Sequence, residues 1–546
     1  LTKQCRSGIS FSDITDIMSA KALLLGLIVA CSVMPVRADL THYVSLAGTN
    51  DTGNSYNTWS GAATQIQWAV DVALANHTVL VTNGTYILTN QISITSGMTV
   101  QSVNGRTNTF VNGNYPLYTN RCFYIAHSNA VLAGFTIYNG FVTSGVATDG
   151  GGGLYLSTGL VHNCIITSNM VGGSGSAGGG GVWMGQGGTL SNCIVSLNIV
   201  TNNNGNGTQY GGGVNIAYSG ALVVSCVITG NTMVTNGNRS MNGGGVQVSG
   251  GTIKDSDILN NVSAYGAGAY ILNSGVADNC VIRGNVLCCH TVNYSSGGIH
   301  MNGNTYLTRC VISETTNTGA ASDRLGGVYG TAGDTYINYC VISNNYMPGC
   351  QSSCNAGKAC YISNSILCLN KGRGVQFNDA CYLRNSLIYG NSDRNVYFQL
   401  FGTENSVMEN CTIMQGLAGG FSFYISGYDT MTVSSCIIYS NANYDVSAHS
   451  HNPWGLTNIT YCCIAGSTNL LTNSVNNIAQ NPLFMNYAAK DFRLTRLSPC
   501  INRGEIKAWM ANAADLDGNR RVDTFSGQVD MGCYEYMVKG SMFKVW

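Results

Sequence analysis

Of the 546 residues only 9% are Asp, Glu, Lys or Arg, against roughly 25% in an ordinary soluble protein. Lys plus Arg and Asp plus Glu stand at 25 each, so no net charge steers the chain to nucleic acid or to an anionic membrane. With 69 Gly against 6 Pro, and β-branched residues recurring between the glycines, collagen and linker sequence are excluded. Extended strands joined by many tight turns remain.

Residues 1–17 read as upstream sequence, and the pattern changes at Met18. Lys21 supplies a positive start, Ala22 to Met34 an apolar core, and Val36-Arg37-Ala38 a small-residue cleavage site before Asp39. That is the pattern of a secretory signal peptide. Ile28-Val29-Ala30-Cys31 is a competing lipobox, in which Cys31 would be lipidated. The short apolar run before Cys31 favours cleavage after Ala38. No later stretch reaches the roughly 18 apolar residues of a transmembrane span.

Next, Ala62 to Ala75 places Ile66, Ala69, Val70, Ala73 and Leu74 on one helical stripe, suited to capping an open sheet. Strands are expected at Thr78 to Val81 and Ile92 to Val103.

From Asn163 the chain repeats. The run Asn163-Cys164-Ile165-Ile166-Thr167-Ser168-Asn169 returns around Cys193, Cys226, Ser256, Cys280, Cys310, Cys340, Ser365, Ser386, Cys411, Cys436 and Cys462. The step is irregular, 29 residues from Cys164 to Cys193 but 21 from Ser365 to Ser386, as in a solenoid whose loops vary while its strands stay in register. Two residues after each anchor stands an aliphatic residue, Ile166 or Val195 for example, so anchor and aliphatic share the inward face. Five residues after most anchors stands Asn, which tolerates a left-handed bend and can hydrogen-bond from rung to rung; Thr315, Gly416 and Ser467 interrupt that series. Glycine runs such as Gly151-Gly152-Gly153 and Gly179-Gly180-Gly181 open the strand before most anchors. The fold class expected is all-β, a right-handed parallel β-helix with an N-terminal capping helix and a small C-terminal region. Its boundaries are 1–38 for upstream sequence and signal, 39–472 for the helix and 473–546 for the C-terminal region. The long loops should crowd one edge.

Two outward columns follow from the alternation. One, in the glycine-led strands, holds Tyr155, Trp183, Asn215, Gln247, Tyr270, His300 and Tyr329, continuing through Gln376, Tyr397 and Tyr424. Aromatics and amides on a flat face suit sugar rings, so this column is the candidate ligand-binding surface. The other lies one residue after the anchors, from Ile165 and Ile194 through Val311 to Ile437, interrupted by Asp257, Thr412 and Cys463. So long an apolar stripe should be covered, by loops or by self-association.

Tyr43-Val44-Ser45, Trp59, Ile66-Gln67-Trp68-Ala69-Val70 and Gly84-Thr85-Tyr86 resemble the N-terminal part of pectin-lyase-like β-helix proteins. Asp491-Phe492-Arg493-Leu494, Ser498-Pro499-Cys500-Ile501-Asn502-Arg503-Gly504, Asp515-Leu516-Asp517-Gly518-Asn519-Arg520 and Val529-Asp530-Met531-Gly532-Cys533-Tyr534-Glu535 resemble the choice-of-anchor Q domain of bacterial exported proteins. The resemblance implies export and surface attachment, hence a secreted or bacterial cell-surface location, and no defined reaction. In an exported domain it also makes a Cys500–Cys533 disulfide the expectation.

The functional reading is an exported, non-catalytic β-helix scaffold for surface display, adhesion or glycan binding, with a polysaccharide as partner. The alternatives are a polysaccharide lyase or glycoside hydrolase with its site near 323–394, and a structural surface-layer component. For the enzyme, Asp323, Arg324 and Asp334 are the candidate catalytic residues, in the densest charged stretch. The ladder cysteines read as small buried apolar residues and no metal site is expected. Asp515 to Asn519 has part of the look of a calcium loop but reads better as a structural turn, so no cofactor is required. His449 and His451 read as isolated imidazoles.

Overall fold

The computed structural model describes residues 40–537 except 144–149, 174, 203–206, 236–239, 289–295, 319–325, 355–356, 379, 402–404, 426–428, 449–455, 466–473 and 525. The expected signal peptide, Cys31, Asp323, Arg324, His449, His451 and Ser467 lie outside the described residues.

Each coil contributes three short strands that stack in parallel on those of the next coil. In one coil these are Val182–Met184, Gly188–Ser191 and Ile194–Ser196; in the next, Val214–Ile216, Leu222–Val224 and Val227–Thr229. We call the three resulting faces the glycine-led face, the middle face and the anchor face. The anchor face is a 15-stranded sheet starting at Gly84–Ile87. Inward residues alternate with outward ones as the period of two requires, and Ile166, Val195, Ile228 and Ile258 are wholly buried in one continuous core. The long loops do gather on one side, where their first residues form a further seven-stranded parallel sheet that includes Met170–Gly172 and Ile199–Asn202.

Two left-handed residues bracket each anchor strand. One directly precedes the anchor, as at Asn163, Asn192 and Asp255; the other comes four residues after it, as at Ser168, Leu197 and Asn260. The sequence expectation had put the bend on the Asn one residue further on. That Asn instead turns inward, wholly or nearly buried, and its amide forms the expected ladder: Asn169 to Asn198 at 3.1 Å, Asn198 to Asn231 at 3.0 Å, Asn231 to Asn261 at 3.0 Å.

The anchors are more than small apolar residues. Each thiol or hydroxyl donates to the carbonyl two residues back, Cys193 Sγ to Ser191 at 3.2 Å and Ser256 Oγ to Lys254 at 2.7 Å. Many also accept the backbone N–H of the preceding rung's anchor, Cys164 N–H to Cys193 Sγ at 3.4 Å and Cys226 N–H to Ser256 Oγ at 3.1 Å. Cys and Ser exchange along the column because both donate and accept.

A short α-helix, Ile66–Val72, covers the N-terminal opening with Ile66, Ala69 and Val70 buried. It stops earlier than the stripe suggested: Ala73 is extended and Leu74 points outward, 61% exposed. Beyond residue 478 the chain leaves the repeat, pairs Phe484–Asn486 antiparallel with Asp491–Leu494, and folds back onto the anchor face.

Candidate functional site

The column read from the sequence as an open ligand face is in perfect register: Tyr155 beside Trp183, then Asn215, Gln247, Tyr270, His300 and Tyr329. It is not an open face. Trp183, Asn215, Gln247, Tyr270, His300 and Tyr329 are all at most 7% exposed, and only Tyr155 is partly accessible. The reason lies in the loops, which leave the anchor face and cross this column before returning to it. From such a loop Tyr265 stands edge-on to His300 at 6.0 Å, while Tyr218, in the turn between Val214–Ile216 and Leu222–Val224, stands edge-on to Trp183 at 5.9 Å. Burial pulls the His300 imidazole down to about 3, so it is neutral at any physiological pH. The column is a second, satellite core. The expected Tyr424 is also displaced: it pairs with Gln399, and the position beside Tyr397 is the buried Ser422.

Where the loops shorten, the same column opens into a charged cluster. Arg373 and Arg394 both lie over the Tyr397 ring, at 4.5 and 5.0 Å from its centre. Asp393 pairs with Arg373 at 3.1 Å, and Arg394 Nε donates to Tyr444 Oη at 3.0 Å.

The exposed aromatic ladder is on the middle face, four residues before the anchors Cys310, Cys340, Ser365 and Ser386. Tyr306, Tyr336, Tyr361 and Tyr382 stand in register on four consecutive rungs. Their rings stack at 5.0, 4.8 and 4.8 Å with planes within 10° of parallel. Tyr306 is 40% exposed and the other three are half-buried by one another. Ring faces are used up within the stack, so the column offers edges and phenol hydroxyls at the rung spacing. Beside it runs a polar outward column, Thr308, Asn338, Ser363 and Arg384, in which Ser363 Oγ donates to Asn338 at 3.1 Å. The far end is closed by Arg384, which lies over Tyr382 at 5.5 Å and Trp509 at 5.6 Å and donates to Glu409 at 2.7 Å. Burial, and after it the charge of Asp334, holds the Tyr336 and Tyr361 phenols above their ordinary range, so they stay protonated as donors. Sequence reasoning passed over this ladder because it followed the glycine motif; a tyrosine recurring four residues before successive anchors was the available signal.

Of the candidate catalytic residues, Asp334 is tied into the scaffold. It meets Lys358 at 3.6 Å and accepts the Ala359 N–H at 2.9 Å. The expected Cys500–Cys533 bridge is not made: both thiols are free and buried. Cys500 faces Cys463 of the solenoid instead, and this hydrogen bond, together with burial, pushes the Cys463 thiol up. Cys533 donates its N–H to Thr412 Oγ1 at 3.1 Å. Asp515 is the hub of a turn, accepting the N–H groups of Asp517, Asn519 and Glu535 at 2.8–2.9 Å, while Asp517 pairs with Arg493. Both carboxylates of that would-be calcium loop are thus engaged by the chain itself. Among the described residues no three His, Cys, Asp or Glu side chains are grouped to hold a metal ion, and no helix is long and apolar enough to cross a membrane.

A family model described as "Right handed beta helix region" matches residues 297–460, which contain the tyrosine ladder. No curated protein sequence matches the chain. Among solved structures, the pectate lyase Pel9A is 11% identical, with 91% of this chain and 96% of that one covered at a TM-score of 0.27. The catalytic domain of a GH87 α-1,3-glucanase is 11% identical over 79% and 70%, TM-score 0.32. The A-module of the Azotobacter vinelandii mannuronan C-5 epimerase AlgE6 is 12% identical over 76% and 94%, TM-score 0.24. Parallel three-faced coils and the matched repeat region make the chain a right-handed parallel β-helix.

Proposed function

We propose that the protein is an exported β-helix scaffold that binds an extended glycan along the middle face, without turning it over. The observation that carries this is the tyrosine ladder, whose rings repeat every 4.8–5.0 Å along the solenoid axis beside a polar column of Thr308, Asn338, Ser363 and Arg384. That spacing is close to the repeat of an extended sugar chain, so one polymer could meet one phenol per sugar or so. Single contacts of this kind are weak, and affinity would accumulate over rungs. The phenols, kept protonated, offer hydrogen bonds rather than acid–base chemistry near neutrality. Carbohydrate contact thereby moves from the buried Trp183 column to Tyr306, Tyr336, Tyr361 and Tyr382.

A glycan array followed by calorimetry on the best binder tests this. Tyr336→Ala with Tyr361→Ala should weaken binding at least tenfold, while Tyr336→Phe with Tyr361→Phe, which keeps the stack and removes the hydroxyls, should fall between. An array without a binder, or an alanine pair that binds like the parent, would leave the ladder as mere strand surface.

A further inference from the structure

The apolar stripe of the anchor face is covered at both ends by the chain itself. At its C-terminal end Leu387, Thr412, Ile437 and Cys463 are at most 3% exposed beneath Phe492, Leu494, Met531 and Cys533. The approach is so close that a side chain on Gly532, at φ +90°, would meet Thr412 and Ile437 within 2.8 Å. At the N-terminal end Thr136, on the rung before Ile165, is 8% exposed and donates its hydroxyl to the Arg106 carbonyl at 2.6 Å. Eight rungs remain between these covers, carrying Ile165, Ile194, Val227, Asp257, Val281, Val311, Val341 and Ile366, each partly accessible.

The charges on this strip are arranged about its centre. In the stripe column the one charged residue is Asp257, on the fourth rung; in the outward column two residues further on it is Arg283, on the fifth. Neither has an ion-pair partner in its own chain among the described residues. A two-fold axis lying along the strand direction between those rungs turns the solenoid end for end and keeps each column over itself. It sets Asp257 of one copy opposite Val281 of the other, within a long side chain's reach of that copy's Arg283, and the reverse. The same operation sets Val227 against Val311, Ile194 against Val341 and Ile165 against Ile366. Aligning the two solenoids in the same direction instead exchanges the two outward columns, which sets Asp257 against Leu259 and the apolar Ile194, Val227 and Val311 against the polar Ser196, Thr229 and Ser313.

We propose that two copies of this chain pair antiparallel through the anchor face, with the axis between the rungs of Asp257 and Val281 and reciprocal Asp257–Arg283 ion pairs across it. The dimer continues the cover that the C-terminal region begins. Eight rungs at ~4.8 Å make a patch of about 34 Å by roughly 10 Å. That is small beside the ~800 Å² per partner of a standard interface, so association is weak and concentration-dependent. The proposal is independent of the glycan reading, which concerns another face.

Sedimentation velocity of the full chain over a concentration series tests it. The parent should shift from monomer to dimer, Asp257→Arg and Arg283→Asp should each shift the equilibrium to monomer at least tenfold, and the two together should restore the dimer. Val227→Lys should also dissociate it, and Leu222→Lys on the middle face should not. Circular dichroism verifies that each variant folds; should a single-charge variant fail to, the charge swap and Val227→Lys still decide. A parent that stays monomeric up to its solubility limit, or a dimer indifferent to Asp257→Arg and Val227→Lys, overturns the proposal.

Discussion

Asn395 donates its side-chain amide to Asn441 at 2.9 Å, across 46 residues of sequence and past the rung where Gly416 stands in place of a ladder asparagine. It also accepts from Asn391 at 2.8 Å, so one side chain from the strand Arg394–Leu400 closes the gap in the ladder. Thr315 does the same elsewhere, donating its hydroxyl to Asn345 at 2.9 Å. Of the three breaks read in the sequence, the two at Gly416 and Thr315 are thus bridged in space, and Ser467 lies outside the described residues.

Asn395→Ala should therefore cost about 1–3 kcal/mol, since it removes the ladder bonds from Asn391 and to Asn441 and the bond to the Met414 carbonyl from a wholly buried site. Gly416→Asn, which restores the repeat in sequence, should destabilise too: its Cβ would lie 2.1 Å from the Gly419 carbonyl oxygen and 2.8 Å from the Asn395 amide. Urea unfolding midpoints check both. A stabilised Gly416→Asn variant would show that the ladder prefers its own asparagine.

The anchor cysteines should tolerate serine and resist valine. Cys193→Ser keeps the bond to the Ser191 carbonyl and the acceptor for the Cys164 N–H, so its effect should stay within about 1 kcal/mol. Cys193→Val loses both in a wholly buried setting and should cost roughly 2 kcal/mol or more. Equal losses in the two variants would mean that size alone selects this position.

The repeat was legible because parallel stacking imposes one register on every coil, and Cys164, Ile166 and Asn169 each mark a different point of it. Facing direction was legible too: Trp183 does point away from the solenoid core. Its exposure was not, because loop residues such as Tyr218 and Tyr265, which carry no repeat signature, decide what lies on top. The same limit hid the fate of the apolar stripe. Leu387 and Ile437 are read as outward residues, correctly, and only the folding back of residues near Phe492 and Met531 buries them. Strand alternation reports orientation; coverage depends on segments distant in sequence.

Trp183 provides a direct test of that distinction. An open binding face would allow its truncation with little loss of stability. Here it is 3% exposed and stacks on Tyr155 at 4.3 Å, so Trp183→Ala should cost about 3–5 kcal/mol. Tyr336→Ala, on the half-exposed ladder, should cost far less. Thermal melts of the two variants side by side give the answer, and a Trp183→Ala protein as stable as the parent would return that column to the surface.

The last prediction concerns pH and the cover over the anchor face. Arg521 is wholly buried, with Nη2 3.1 Å from Glu535 and 3.2 Å from the Asp530 carbonyl oxygen. Burial raises the Glu535 carboxyl to about 8, against the pull of Arg521 and helped by the charges of Asp530 and Asp515; burial raises Asp530 as well. In the unfolded chain Glu535 titrates near 4.5, so between that value and about 8 the folded state binds the extra proton. Its contribution to stability is complete below pH 4.5 and is lost as pH rises through 8. Urea midpoints should consequently fall from pH 5 to pH 9, and Glu535→Gln, which cannot titrate, should flatten that slope. A parent whose stability rises over this interval, or a glutamine variant with an unchanged slope, would assign the proton to another group. Because Gly532 and Cys533 press on Thr412 and Ile437 only three or fewer residues before Glu535, loosening here would uncover the last rungs of the stripe first.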